Sequence, residues 1–168
     1  DDYQEKNIST GYVLPENIHA AGADGTLINN SEHKLSFQNI KKTIKRCSEV
    51  GLRVIAFAST VAEATRIKKL GPYAIALEDK ELVATGKSLS KYKTTDLARF
   101  VKMLENTNIV PLCGAGINSR EDVELALEVG CKGVAVSSAV TNSNNPEVLL
   151  KALTYIPAYM PPKRERMV

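Results

Sequence analysis

At 168 residues, the chain has the length of one ordinary domain and can bury a sizeable core. Its formal net charge of +3 is only mildly basic, which is weak support for a nucleic-acid partner, and no apolar run is long enough to cross a bilayer. The three cysteines are odd in number and lack the short spacing of metal ligands, so we expect small core residues. These features predict a cytoplasmic protein without a metal or other cofactor, and they exclude a membrane protein.

Short apolar runs alternate with amphipathic segments along the chain. After a polar opening and a short helix that starts near Leu14, the apolar runs predict strands at 25–28, 53–58, 73–77, 109–113 and 133–136. A helix is expected after each strand, with Ser36 and Ser119 as helix N-caps. The strands are continuous apolar runs, which is typical of a parallel sheet covered on both faces. An open doubly wound sheet and an eight-stranded β/α barrel both fit, although five units are too few to close the barrel.

A single carboxylate stands at the end of the third predicted strand. Glu78 directly follows the apolar run 73–77. Parallel α/β proteins bind ligands at the carboxyl ends of their strands, so Glu78 is a candidate general base. The alternative is that Glu78 is merely the polar residue that ends a strand, and the local pattern alone favours that alternative.

Small residues follow three of the predicted strands. Small side chains let backbone N–H groups approach an anion closely, and a helix N-terminus adds favourable partial charge. Each instance is weak alone, but two after the last strands are more specific, because β/α barrels commonly hold phosphate there. The candidate phosphate-binding residues are Gly86, Gly114, Ala115, Gly116, Ser137 and Ser138.

Four segments, at 25–35, 75–86, 113–117 and 136–140, carry a resemblance that runs in order up to about residue 153. Together they resemble archaeal triosephosphate isomerases. The resemblance implies a partial (β/α)8 TIM barrel at residues 1–156, made of βα units four to eight, followed by a basic proline-rich tail at 157–168. It implies that most of the first three units are missing. Because Asp1 is not a usual first residue, we expect a piece of a longer product.

The resemblance assigns catalytic roles residue by residue. Glu78 matches the family's catalytic base, whereas Asn30 stands where the family has its electrophilic histidine. His33 falls where the family has arginine, and the family's lysine belongs to a first strand that this sequence does not contain. Asparagine can donate a hydrogen bond to a carbonyl oxygen, but it cannot exchange a proton with an enediolate as imidazole can. The expected base therefore lacks its usual electrophile.

The loop after Glu78 also departs from the family pattern. The family's Glu-Pro-Pro-Glu-Leu-Ile-Gly-Thr-Gly reads Glu-Asp-Lys-Glu-Leu-Val-Ala-Thr-Gly here. Loss of both prolines removes a rigid hinge, and Ala84 replaces a glycine whose N–H would approach the phosphate. This loop is expected to serve catalysis less well than its counterpart.

Three functions are open at this point. Asn30 and the altered loop favour a catalytically disabled homologue that acts as a structural or interaction subunit, which is the preferred hypothesis. Glu78 and the last two phosphate-binding segments favour an active isomerase of glycolysis and gluconeogenesis that interconverts dihydroxyacetone phosphate and glyceraldehyde 3-phosphate. The third possibility is a sensor that binds a phosphate ligand without turnover.

Two features indicate partners. A partial barrel exposes sheet edges near Leu27 and Val134, which demand a missing N-terminal segment, a second copy or a different protein. The tail carries Lys163, Arg164 and Arg166 and is a candidate for docking on an acidic surface or RNA. A solvated terminus is the favoured interpretation of that tail.

Overall fold

A computed structural model describes residues 12–79, 88–89 and 94–154. In this part of the chain, parallel strands form one sheet in the order β1-β2-β3-β4, with sequence neighbours adjacent throughout. Between the strands run helices, which gives the alternation of a partial α/β TIM barrel, as predicted. The strands are β1 (Gly25–Ile28), β2 (Arg53–Ala58), β3 (Ala74–Leu77) and β4 (Val110–Cys113). The helices are α1 (Pro15–Ala20), α2 (Phe37–Glu49), α3 (Val61–Lys68), α4 (Thr95–Leu104), α5 (Arg120–Val129), α6 (Ser138–Thr141) and α7 (Pro146–Thr154).

The predicted helix starts are confirmed by their capping contacts. The Ser36 hydroxyl accepts a hydrogen bond from the Asn39 N–H at the start of α2. At the start of α5, Ser119 and Asp122 form the reciprocal pair of a capping box. Gly130 ends α5 in a left-handed conformation, with φ at 112°, which glycine adopts without steric cost. Local sequence therefore sets where these helices begin and end.

The fifth predicted strand, at 133–136, differs from the prediction. Val134 forms a single parallel bridge with Cys113, and the Ala135 N–H donates to the Cys113 carbonyl at 2.8 Å. The segment thus runs alongside β4 without extending into a named strand. The reason lies at Ser137, whose φ of −128° and ψ of −86° turn the chain directly into α6, a short helix that the sequence did not predict.

The core lies between the sheet and the helices that pack on it. β3 is buried at all four positions, and Cys47, Cys113 and Cys131 are buried and unpaired, as predicted. Ala58 and Leu77 are partners in register, and the Glu78 N–H donates to the Ala58 carbonyl at 2.8 Å. Strands β2 and β3 therefore end in step, and Glu78 emerges at their shared carboxyl edge.

Three further findings concern the described residues only. They contain no group of histidine, cysteine or acidic side chains arranged to hold a metal ion. No helix within them has the length and apolar character needed to span a membrane. The predicted tail at 157–168, with Lys163, Arg164 and Arg166, lies outside the described ranges.

Candidate active site

A cavity of about 130 Å³ lies at the carboxyl ends of the strands. It brings together the two catalytic candidates, the turn after β4 and the start of α6, which the sequence placed far apart. Seven of the eight candidate site residues line it, and Gly86 falls outside the described part of the chain. The lining residues are Asn30, Ser31, Glu32, Glu78, Gly114, Ala115, Gly116, Ile117, Asn118, Ala135, Val136, Ser137, Ser138 and Ala139.

Glu78 is a buried carboxylate with one oxygen in a hydrogen bond and the other unpaired among the described residues. Its side chain is on a residue only 7% exposed, and Oε1 accepts a hydrogen bond of 3.1 Å from the Ser31 hydroxyl. Oε2 is buried without a hydrogen-bond partner among the described residues. Burial raises the pKa of Glu78 above its ordinary value, and the opposing effects of the Ser31 hydrogen bonds and of Lys34 only partly offset it. A buried carboxylate with a raised pKa, at the wall of a cavity, is suited to act as a general base.

The turn after β4 lies directly against Glu78. The Gly114 N–H donates to the Leu77 carbonyl at 2.7 Å, and a Cβ at Gly114 would lie 3.0 Å from that oxygen and 3.3 Å from Glu78 Cβ. Only glycine therefore lets this turn approach the end of β3 so closely. Gly116 adopts a left-handed conformation with φ at 77°. Within the described ranges, the N–H groups of Ala115 and Gly116 donate to no other group, so they are available to an anion.

Ser88 and Leu89 are attached to the same turn. The Leu89 N–H donates to the Gly116 carbonyl at 2.8 Å, and the Ser88 hydroxyl bonds to the carboxylate of Asp122. Asp122 is fully buried and also accepts from the N–H groups of Asn118 and Ser119. The carboxylate of Asp122 thus holds the residues that follow the glycine turn in place through several hydrogen bonds.

Asn30 lines the cavity, and one of its two amide heavy atoms is already in a hydrogen bond. Its Oδ1 accepts a hydrogen bond of 3.1 Å from the His33 N–H, which leaves the NH2 group as the donor for a ligand. His33 itself is exposed and does not line the cavity, so it does not replace the family's histidine. The site therefore offers an amide, and no imidazole, at this position.

Sequence reasoning missed Ser31 as a site residue. Its hydroxyl is the group that orients Glu78, and its only sequence signal was its place directly after Asn30 in the segment that resembles the isomerases.

The cysteines play no comparable part. Burial raises the pKa of Cys113, at the end of β4, to about 11, so it is a thiol at neutral pH and a poor nucleophile.

The arrangement offers some of the groups that enolisation of a small phosphorylated carbonyl compound uses. Glu78 lines the cavity as a carboxylate that can take a proton from carbon, and the Asn30 amide can donate to a carbonyl oxygen. The N–H groups of Ala115 and Gly116, which have no acceptor within the described ranges, can donate to a phosphate. All three lie around one cavity.

Comparison with known proteins finds relatives over most of the chain. The family model described as triosephosphate isomerase matches residues 2–153. The triosephosphate isomerase of Methanopyrus kandleri is 37% identical over 151 residues, which are 89% of this chain and 67% of that protein. That of Pyrobaculum islandicum is 36% identical over 146 residues, which are 86% of this chain and 64% of that protein. The chain thus spans about two thirds of the length of these curated relatives.

Solved structures share the fold at low sequence identity. The tryptophan synthase A-subunit of Pyrococcus furiosus matches with a TM-score of 0.65 and 20% identity, over 84% of this chain and 59% of that one. A 3-hexulose-6-phosphate synthase matches with a TM-score of 0.62 and 12% identity, over 83% and 64% of the two chains. At these identities the likeness shows the fold alone.

Proposed function

This chain belongs to the triosephosphate isomerase family, and from that premise we propose that its site binds a triose phosphate and isomerises it far more slowly than a site with a histidine electrophile. One observation carries the proposal. Glu78 and the glycine turn share a cavity in which the third catalytic position is held by Asn30. On this proposal Glu78 is the base, the glycine turn holds the phosphate, and Asn30 takes the place of the usual electrophile.

The expected chemistry is a proton transfer between neighbouring carbons. Glu78 would take a proton from the carbon beside the carbonyl group and return it to the adjacent carbon after the enediolate forms. The Asn30 amide would stabilise the developing negative charge on oxygen, but it cannot pass a proton between the two oxygens. Removing a single electrophilic donor of this kind typically lowers turnover about 100-fold to 1,000-fold.

A role as an interaction subunit is the second candidate function. It is supported by Leu27, which is 57% exposed on β1, and β1 forms an edge of the sheet among the described residues. Edges of this kind pair readily with another strand. The two functions are compatible, because the edge and the cavity involve different residues.

A coupled isomerase assay in both directions tests the proposal, with Glu78→Gln as the matched control. We expect slow turnover that Glu78→Gln abolishes. Turnover in the ordinary range for enzymes, about 10 per second or more, would make this a fully active isomerase and contradict the proposed loss. Turnover that survives Glu78→Gln would be contamination or a different site. Absence of both turnover and ligand binding would leave the interaction role as the only supported function.

A further inference from the structure

Asn29 is a buried residue that joins three parts of the structure next to the site. It is 2% exposed and has a φ of 60°, a left-handed conformation that asparagine tolerates better than most residues. Its Nδ2 donates to the Phe57 carbonyl at 2.8 Å and to Glu63 Oε1 at 2.9 Å. Its Oδ1 accepts from the Leu35 N–H at 2.9 Å. One side chain therefore ties the end of β1 to β2, to α3 and to the far end of its own loop.

Glu63 stands behind Asn29 and collects several donors. Its Oε2 accepts from the Ser59 N–H at 2.7 Å and lies 3.5 Å from the ammonium of Lys34. Burial acts to raise the pKa of Glu63, but the Ser59 and Asn29 hydrogen bonds and the charge of Lys34 outweigh it, so the pKa is lowered. Glu63 is therefore a carboxylate at neutral pH. A charged acceptor forms stronger hydrogen bonds than a neutral one, which fixes Asn29 firmly.

The residues that follow Asn29 are those that meet the cavity. Asn30 and Ser31 both line it, and the Ser31 hydroxyl donates to Glu78 Oε1. We propose that Glu63 is a positioning residue for this site, acting through Asn29 to hold Ser31 against Glu78. The proposal rests on the proposed function, because the site that Glu63 positions is the one assigned to triose phosphate. Glu63 touches neither the cavity nor Glu78, so it acts only through its neighbours.

A purely structural role for Glu63 is the alternative. Glu63 lies in the first turn of α3, and its N–H donates to the Thr60 hydroxyl at 3.0 Å, which caps that helix. Thr60→Ala removes this cap and leaves the Asn29 contact in place. It therefore separates weakening of the helix start from loss of the connection to the site.

The test is the pKa of Glu78, measured by NMR titration of its side-chain carboxyl in ligand-free protein. Glu63→Ala should release Ser31 and so raise the pKa of Glu78, because a hydrogen bond to the charged form is lost. Loss of the Glu63 charge acts in the opposite direction through space. The same substitution is therefore repeated in protein that already carries Ser31→Ala, where the hydroxyl contributes nothing and the through-space effect and the Ser31 backbone hydrogen bond remain. Lys34 and Glu32, the other charges that act on Glu78, are the same in both backgrounds.

We expect the pKa shift that Glu63→Ala causes at Glu78 to be more upward when Ser31 is present than in the Ser31→Ala background. Thr60→Ala should lower the melting temperature and leave the pKa of Glu78 unchanged. Glu63→Gln keeps one oxygen that can accept from Asn29, so it should shift the pKa of Glu78 less than Glu63→Ala does. It is also the variant to measure if Glu63→Ala fails to fold. Equal shifts in both backgrounds, or a shift with Thr60→Ala as large as with Glu63→Ala, would overturn the proposal.

Ligand binding gives a second readout. The affinity for 2-phosphoglycolate should fall about fivefold in Glu63→Ala, which corresponds to one ordinary hydrogen bond, and should not change in Thr60→Ala. Equal losses in the two variants would contradict the positioning role. If the unaltered protein binds no 2-phosphoglycolate, the proposed function fails, whereas the titration of Glu78 still decides the role of Glu63.

Discussion

The Ser31 hydroxyl donates a hydrogen bond of 3.1 Å to Oε1 of Glu78, although the two residues are 47 positions apart in the chain. The contact holds one carboxylate oxygen, whereas Oε2 is buried without a hydrogen-bond partner among the described residues. It also joins the loop after β1 to the end of β3, so that Asn30 and Glu78 line the same cavity. The geometry of the base therefore depends on a residue that has no catalytic part of its own.

Burial of Glu78 predicts a stability cost that depends on pH. The pKa of Glu78 is raised in the folded protein above its ordinary 4.5. The contribution of this carboxyl group to the free energy of unfolding is therefore complete below pH 4.5, and it is lost as pH rises through the folded pKa. Glu78→Gln removes the buried charge, so it should unfold at a higher temperature at pH 8, with a gain of about 1 kcal/mol that shrinks towards pH 4. Thermal melts at both pH values check this. Glu147→Gln, at a surface pair with Lys151, is the control and should show no such trend.

The close approach of Gly114 to β3 predicts a steric effect on the site. In Gly114→Ala the new Cβ would lie 3.0 Å from the Leu77 carbonyl oxygen and 3.3 Å from Glu78 Cβ, so the turn must move. We expect a loss of about 1–3 kcal/mol in unfolding free energy and weaker binding of inorganic phosphate. Gly22→Ala is a control for general backbone strain, because Gly22 has a positive φ of 87°, unlike Gly114, and no atom lies within 4 Å of the added carbon. Unchanged phosphate affinity in Gly114→Ala would show that the turn does not hold the anion.

The buried hydrogen bonds of Asp122 predict that Asp122→Asn lowers the free energy of unfolding substantially. Its carboxylate accepts from the N–H groups of Asn118 and Ser119 and from the Ser88 hydroxyl while fully buried. Asp122→Asn replaces one accepting oxygen with a donor, which should cost about 2 kcal/mol in chemical denaturation. Glu124→Gln, on the same helix in an exposed pair with Arg120, should change stability by less than about 0.5 kcal/mol. Equal losses would show that charge on α5, and not the turn, determines stability.

The amide at position 30 predicts a gain of function. Asn30→His should raise isomerase turnover by at least about tenfold, because an imidazole can both polarise the carbonyl and exchange protons with the enediolate. His33→Asn removes an exposed imidazole that does not line the cavity, and it should leave turnover unchanged. A gain from Asn30→His that does not require Glu78 would contradict the assigned roles.

Much of the scaffold could be predicted from the sequence. Continuous apolar runs located β1 to β4, and Ser36 and Ser119 located the starts of α2 and α5, because strands and caps depend on short local patterns. The placement of Glu78 and of Gly114–Gly116 at the strand ends follows from the same rule, since parallel strands share a carboxyl edge.

The contacts within the site could not be predicted in this way. The Ser31–Glu78 and Asn29–Glu63 hydrogen bonds depend on strand register and on side-chain direction at loop ends, which no local periodicity encodes. The segment at 133–136 is apolar enough to suggest a strand, but the turn at Ser137 ends its pairing after Val134.

The central claim is that the cavity at Glu78 binds a triose phosphate. Calorimetric titration with 2-phosphoglycolate tests it most directly, because it measures ligand binding without requiring turnover. We expect saturable binding of one ligand per chain with a Kd below about 1 mM, competed by inorganic phosphate and weakened in Gly114→Ala. Titration without saturable heat in this range, or binding that Gly114→Ala leaves untouched, would contradict the assignment of the cavity at Glu78 as a triose phosphate site.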